Sequence, residues 1–103
     1  MKVLILNTTF PSQIEAEAVA KTLVKEKLVA CAQIHNTIKS FYLWEDEFKS
    51  DTEIATSFKT SMSSKKDLEK RIIEIHSYEI PQLIWREVEV SEQYGEWIEE
   101  AKI

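Results

Sequence analysis

Hydrophobic positions along the chain alternate between the two-residue spacing of strands and the three-to-four-residue spacing of helices. The run from Val3 to Thr9 is apolar and β-rich, which is typical of a buried strand. After Pro11, Ser12 and Glu15 have the spacing of a helix-capping box, and apolar residues then recur at helical spacing to about Lys27. The first two predicted elements are therefore a strand and an amphipathic helix.

Two long strand-like runs follow, and the acidic segment "EDE" between them predicts the turn of a hairpin. The first extends from about Val29 to Leu43 and the second from Phe48 to Ser61. Alternation predicts two faces for the first run: Ile34, Ile38, Tyr42 and Trp44 on one, and His35, Thr37, Lys39 and Phe41 on the other. In the second run it separates Phe48, Ile54 and Phe58 from Lys49, Asp51, Glu53 and Lys59.

The remaining third of the chain predicts a helix, a strand and a last short helix. Segment 63–76, "SSKKDLEKRIIEIH", has an apolar face at helical spacing, with Ser64 as the expected cap. Segment 82–90 is strand-like, and segment 91–103 predicts the last helix. The order β-α-β-β-α-β plus a tail helix indicates one α+β domain, residues 1–103, with the ferredoxin-like fold. Strands one and three are expected side by side in the centre of an antiparallel sheet, with both main helices on one face.

The length of the hairpin indicates more than one subunit. A strand from Val29 to Leu43 would span roughly 45–50 Å at about 3.3 Å per residue, whereas a 100-residue domain has a radius of gyration of about 13 Å. A ribbon that projects with Phe41, Tyr42, Leu43, Trp44 and Phe48 bare in water would invite aggregation, so we expect it to pack on neighbouring subunits. A bent or bulged hairpin folded back on its own sheet is the alternative.

Composition excludes several classes of function. The net charge of −5 and the scattered lysines do not fit a nucleic-acid-binding protein. The apolar run at the N-terminus is much shorter than a membrane span, and the single cysteine, Cys31, suggests a reducing compartment, so we expect a cytoplasmic protein. The chain has no catalytic motif such as Gly-x-Ser-x-Gly or a phosphate-binding loop, and we expect no enzyme activity.

A candidate metal site lies in the segment "EIHSYEIPQL", where the second helical pattern stops. The imidazole of His76 and the carboxylate of Glu79 are ligand types that Cu(II) and Zn(II) accept. Two ligands are fewer than the four of a tight structural site, so Cys31 or another subunit would have to contribute. Other interpretations remain open: His76 caps the helix end, Glu79 pairs with a lysine, and Cys31 is a small core residue.

A candidate ligand cleft involves aromatic residues and one lysine. Tyr42, Trp44, Tyr78 and Trp97 would shape a pocket between subunits, and Lys59 near a strand end would meet an anionic ligand. Packing at a subunit interface and a salt bridge are the alternatives, since Tyr and Trp are enriched at interfaces in any case.

Five segments in order resemble the CutA divalent-ion tolerance family. They are "EKLVACAQI" (26–34), "SFYLWEDE" (40–47), "FKT" (58–60), "HSYEIPQLI" (76–84) and "YGEWI" (94–98). The chain departs from the family pattern at Ser77, where the family usually has proline, and at Asp46, where it has glycine.

The resemblance implies a homotrimer of ferredoxin-like subunits with a link to copper and other divalent ions. On this basis His76, Glu79 and Cys31 are the expected metal ligands, and the expected function is weak, non-enzymatic binding of a divalent cation, most simply copper. The alternative function is a PII-like signalling or interaction module. It would bind a small ligand or protein partner in an inter-subunit cleft near Lys59, Tyr78, Trp44 and Tyr42.

Overall fold

The computed structural model describes residues 1–101 of the 103-residue chain. The elements in chain order are β1 (Lys2–Phe10), α1 (Gln13–Lys25), β2 (Cys31–Trp44), β3 (Glu47–Thr60), a short 3₁₀ turn (Met62–Ser64), α2 (Lys65–Ile75), β4 (Ile84–Glu89) and α3 (Glu92–Glu100). Residues 102 and 103 of the predicted last helix lie outside the described residues. No helix of the described part is long and apolar enough to cross a membrane.

The sheet has the predicted ferredoxin-like topology. Its strand order is β2-β3-β1-β4, so β1 and β3 are the two central strands. All three strand pairs are antiparallel. The fold class and the central position of strands one and three are therefore confirmed.

The main core lies between α1, α2 and one face of the sheet. Leu6 pairs with Phe58 and Phe10 with Ile54, and all four side chains are buried in one cluster with those of the two helices. The helices contribute Ala16, Val19, Ala20, Leu23, Leu68 and Ile72. The helical spacing of these residues follows the apolar stripes of the sequence, because each helix buries only the stripe that faces the sheet.

A bulge in β2 overturns the predicted faces of the hairpin. Ile34 pairs with Thr56 and Thr37 pairs with Ile54, so β2 has one more residue than β3 in this interval. An extra residue inverts the alternation beyond it. The prediction that Ile34 shares a face with Ile38, Tyr42 and Trp44 is therefore wrong.

Beyond the bulge, Phe41, Leu43 and Phe48 continue the core face of Ile54 and Phe58, as the pairing of Leu43 with Phe48 requires. Ile38, Tyr42 and Trp44 lie on the opposite face, beside the charged residues of β3.

One of the two helix caps predicted from the sequence is present in the structure, and the other is not. Ser12 caps α1 by accepting a hydrogen bond from the Glu15 N–H, as predicted. Ser64 does not cap α2: it has helical backbone angles, and its hydroxyl bonds to that of Ser61, 2.8 Å away. The reason is that the chain already turns into a 3₁₀ helix at Met62, so Ser64 lies inside the turn.

The hairpin projects beyond the rest of the domain. β2 and β3 have 14 residues each, whereas β1 has 9 and β4 has 6. The longest dimension of the molecule is 46 Å, against 24 and 22 Å for the others. At the tip, Glu45 and Asp46 both have positive φ, which Asp tolerates better than most non-glycine residues. The expected extended ribbon is observed.

The third helix packs on the second face of the sheet. Residue Tyr94 of α3 lies close enough to Cys31 for the thiolate charge to help raise the tyrosine pKa, after the larger effect of burial. Cys31 pairs with Lys59, whose side chain lies on the face opposite Phe58. Gly95 lies where α3 meets the N-terminus: a Cβ there would lie 2.4 Å from the Met1 sulfur, so a larger residue would displace the flexible Met1 side chain. α3 therefore covers only the end of this face that is distant from the hairpin tip.

Two adjacent isoleucines on α2 test the position of the core. Ile72 is fully buried and Ile73 is 52% exposed. Ile72→Ala should lower the free energy of unfolding by about 2–4 kcal/mol, because it leaves a cavity beside Leu68. Ile73→Ala should change it by less than about 1 kcal/mol. Denaturant unfolding at one fixed protein concentration measures both, and equal losses would contradict the described core.

Candidate functional site

The loop after α2 is fixed to the end of β1 by His76. Its imidazole is buried, its Nε2 lies 2.8 Å from the Thr9 carbonyl oxygen, and its Nδ1 lies 3.1 Å from the backbone nitrogen of Tyr78. The ring also stacks on Phe10, with centroids 4.6 Å apart. His76 thus fixes the end of α2 to the end of β1.

The two partners of His76 determine where its proton lies. A carbonyl oxygen only accepts and a backbone N–H only donates, so Nε2 carries the hydrogen and Nδ1 is the acceptor. A metal ligand needs a ring nitrogen with a free lone pair. In the described conformation the Nδ1 lone pair faces the Tyr78 N–H, so ligation by His76 would require that bond to open.

Ser77 makes contacts that a proline could not make. Its backbone N–H and its hydroxyl both donate to Glu15 Oε2, at 3.2 and 2.9 Å. The carboxylate of the capping-box glutamate is therefore directed at the loop after α2. Proline, which the family resemblance leads us to expect at this position, has neither the N–H nor the hydroxyl that bonds the first turn of α1.

Glu53 lies at the centre of a second network on the face opposite the main core. Its Oε2 accepts hydrogen bonds from the Thr9 hydroxyl at 2.8 Å and from the Tyr78 hydroxyl at 2.9 Å. On the neighbouring strand the Tyr42 hydroxyl donates to Asp51. Thr9 thus bonds both His76, through its carbonyl oxygen, and Glu53, through its hydroxyl.

These residues enclose a cleft of about 580 Å³ between the hairpin and the loop after α2. It is lined by Thr9, Ser40, Phe41, Tyr42, Trp44, Lys49, Glu53, Tyr78, Glu79, Ile80 and Gln82. Three of the five predicted cleft residues, Tyr42, Trp44 and Tyr78, come together here with Glu79.

Lys59, Cys31 and Trp97 lie elsewhere. Lys59 donates to Gln33 and is paired with Cys31 at the far end of the same sheet face. Trp97 stacks on Tyr94 in α3. The expectation that Lys59 lies in the same cleft as Tyr78 is therefore not met within one subunit.

The predicted metal ligands do not form a set within one subunit. Among residues 1–101, no group of three or more His, Cys, Asp or Glu side chains is arranged to hold an ion. His76 is buried, Glu79 is exposed at the cleft, and Cys31 is half-buried near Tyr94 of α3. Metal binding through these residues stays a prediction that needs ligands from another subunit.

Sequence reasoning missed Glu53 and a polar group around Ser57. Glu53 is one of several charged residues on a strand of alternating polarity. Only its hydrogen bonds with Thr9 and Tyr78 distinguish it from the others. The Ser57 hydroxyl lies 2.6 Å from His35 Nε2 and accepts from Asn7 at 3.0 Å. His35 sits in the bulge of β2, which the sequence did not predict.

The surroundings of two tyrosines favour their neutral phenols. Burial is the main cause that raises the pKa of Tyr78 well above its usual value, and the hydrogen bond to Glu53 adds to it. The bond to Asp51 raises the pKa of Tyr42. Both effects keep a donating O–H next to a carboxylate, because ionisation would place two negative charges together.

The family model for the CutA1 divalent ion tolerance protein matches residues 4–101. The chain belongs to this family. A divalent-cation tolerance protein CutA from Pyrococcus horikoshii is 42% identical over 101 residues, which cover 96% of this chain and 98% of that protein. The resemblance seen in the five sequence segments is confirmed.

Solved structures of the family have the same fold. The crystal structure of CutA1 from Pyrococcus horikoshii has a TM-score of 0.92 at 38% identity, over 97% of this chain and 98% of that one. The structure of CutA from Archaeoglobus fulgidus has a TM-score of 0.89 at 34% identity, over 98% of both chains. The latter protein is described as periplasmic, so the family is not confined to the cytoplasm and a cytoplasmic location stays a prediction.

The alkaline titration of Tyr78 tests the network around Glu53. In protein labelled with ¹³C at the tyrosine ring, the Tyr78 signal should titrate above the ordinary pKa of about 10. Since the folded pKa is raised, this phenol stabilises the fold below about pH 10 and loses that contribution as the pH rises through the folded value. Glu53→Gln should lower the Tyr78 pKa part of the way, because burial remains.

Tyr94 is the internal control, since its pKa is raised by burial and by Cys31, without Glu53. Its titration should be the same in the wild type and in Glu53→Gln. An ordinary pKa for Tyr78, or equal shifts of both tyrosines in the variant, would contradict the described bond.

Proposed function

We propose that the chain forms a homotrimer that binds divalent cations of the copper type, weakly and without catalysis, in the cytoplasm. The observation that supports binding of a divalent cation is membership of the divalent ion tolerance family. The single cysteine favours a reducing compartment.

The projecting hairpin supports the assembly. Phe41, Leu43 and Phe48 are 64–71% exposed, in one row that continues the core face past the ends of α1 and α2. A contiguous apolar row of this kind on a long ribbon marks an interaction surface. A second copy of the chain is the simplest partner, because every copy carries the same row and three copies can close a ring.

The separation of the candidate ligands supports a site completed between subunits. Glu79 is exposed at the cleft, whereas His76 and Cys31 are held in places where one subunit alone brings no third ligand. Weak binding follows from this arrangement, because a cation held by few protein ligands keeps much of its water. Glu79 is exposed and can reach an ion as it stands, whereas both ring nitrogens of His76 are already hydrogen-bonded.

A small-ligand or partner-binding module of the PII-like type is the second candidate. The cleft supports it, because its volume of about 580 Å³ and its aromatic and carboxylate lining are typical of small-molecule sites.

Calorimetric titration of metal-free protein with Cu(II) and Zn(II) tests the cation. We expect saturable binding of about one ion per chain, weakened about tenfold or more by Glu79→Gln. Cys31→Ser and His76→Ala test the other two predicted ligands. Glu17→Gln is the matched control, because Glu17 is an exposed carboxylate on α1 outside the cleft.

Each variant must keep the solution mass and the unfolding midpoint of the wild type before its affinity is interpreted, which matters most for the buried His76. Absence of saturable binding would overturn the cation proposal. Binding that is the same in Glu79→Gln, Cys31→Ser and His76→Ala would place the ion elsewhere and overturn the ligand set.

A further inference from the structure

The chemistry of the cleft indicates which class of small ligand it would take. Two carboxylates, Glu53 and Glu79, line it together with a single cation, Lys49. The Lys49 ammonium is 3.1 Å from the carboxylate of Glu47, so much of its charge is already balanced. Asp51, which accepts from Tyr42, adds another negative charge at the same wall. The field in the cleft therefore favours a cation and opposes an anion.

Glu53 is held in place before any ligand arrives. Two hydroxyls, those of Thr9 and Tyr78, donate to the same oxygen, Oε2. The backbone of Thr9 is buried in the central strand, and Tyr78 is fixed through its N–H to His76. A carboxylate oriented by two fixed donors loses little conformational freedom when it binds a charged group, which favours affinity.

The other walls are aromatic. Tyr42 and Trp44 come from the hairpin, on the face opposite the exposed apolar row, and Tyr78 comes from the loop after α2. Aromatic rings attract ammonium and guanidinium groups through their negative faces, and they cover the apolar body of a ligand. They supply no lone pair of the kind that a bare metal ion needs.

We infer that this cleft binds a small organic cation, an ammonium or guanidinium group on an apolar body, with Glu53 and Glu79 meeting the charge and Trp44 and Tyr78 covering the body. The inference deepens the small-ligand candidate above and rests on it. It shares Glu79 with the divalent-cation proposal but is distinguishable from it, because a bare ion would use the carboxylates without the aromatic rings.

Three probes of similar size and different charge test the inference on the assembled protein. Benzyltrimethylammonium carries a positive charge, benzyl alcohol is neutral, and benzoate is negative. Ligand-observed NMR titration should show saturable binding of the ammonium, with the alcohol and the benzoate weaker by about tenfold or more.

Glu53→Gln should weaken the ammonium probe about tenfold, whereas Glu17→Gln should leave it unchanged. Trp44→Leu separates an organic cation from a metal ion, because it removes a ring and keeps both carboxylates. It should weaken the ammonium probe several-fold and leave any Zn(II) affinity as it was.

The possible results distinguish a wrong ligand class from the absence of a small-ligand site. If none of the three probes binds, both the inference and the small-ligand candidate fail. If benzyl alcohol or benzoate binds as well as the ammonium, the cleft is a ligand site but the inferred class is wrong. If Zn(II) binding depends on Trp44 as strongly as ammonium binding does, the distinction between the two cations is wrong.

Discussion

The structure depends on a mismatch in strand length. β2 and β3 run for 14 residues each, but β1 ends at Phe10, opposite Ile54, so the outer half of the hairpin has no strand beside it except its own partner. α1 begins and α2 ends beside the end of β1, and the core face continues beyond them as the exposed row of Phe41, Leu43 and Phe48. An isolated two-stranded ribbon is marginal in water. The proposed association of several copies would cover this row and brace the ribbon.

The same mismatch creates the cleft. Where β1 stops, the chain leaving α2 crosses the end of the sheet, and His76 fixes it to the Thr9 carbonyl. The loop then places Tyr78 against Glu53 on the outer half of β3, so one wall of the cleft is hairpin and the other is loop. His76 was expected to bind metal, but its contacts in the described conformation hold this corner together, and any role in ligation would have to compete with them.

The sequence predicted those features that depend on spacing and failed at those that depend on contacts. The periodicity of the apolar residues predicted the order of strands and helices. The number of residues in the two long strand-like runs predicted that the hairpin projects beyond the domain. The faces of β2 were wrong beyond Ile34 because a bulge leaves no mark in the alternation of a polar strand. Ser64 was assigned as a cap because serine is a common cap residue, but it lies inside the 3₁₀ turn Met62–Ser64. Glu53 was missed because its partners, Thr9 and Tyr78, are distant in the sequence.

The solution mass of the wild-type protein tests the central claim most directly. Sedimentation equilibrium over a wide range of concentration should give three times the chain mass of 12.0 kDa, with no monomer at the lower end. The account predicts that result because association would cover the exposed row of the hairpin. A mass of one chain throughout would contradict the account, because the hairpin would then have to fold back on its own sheet.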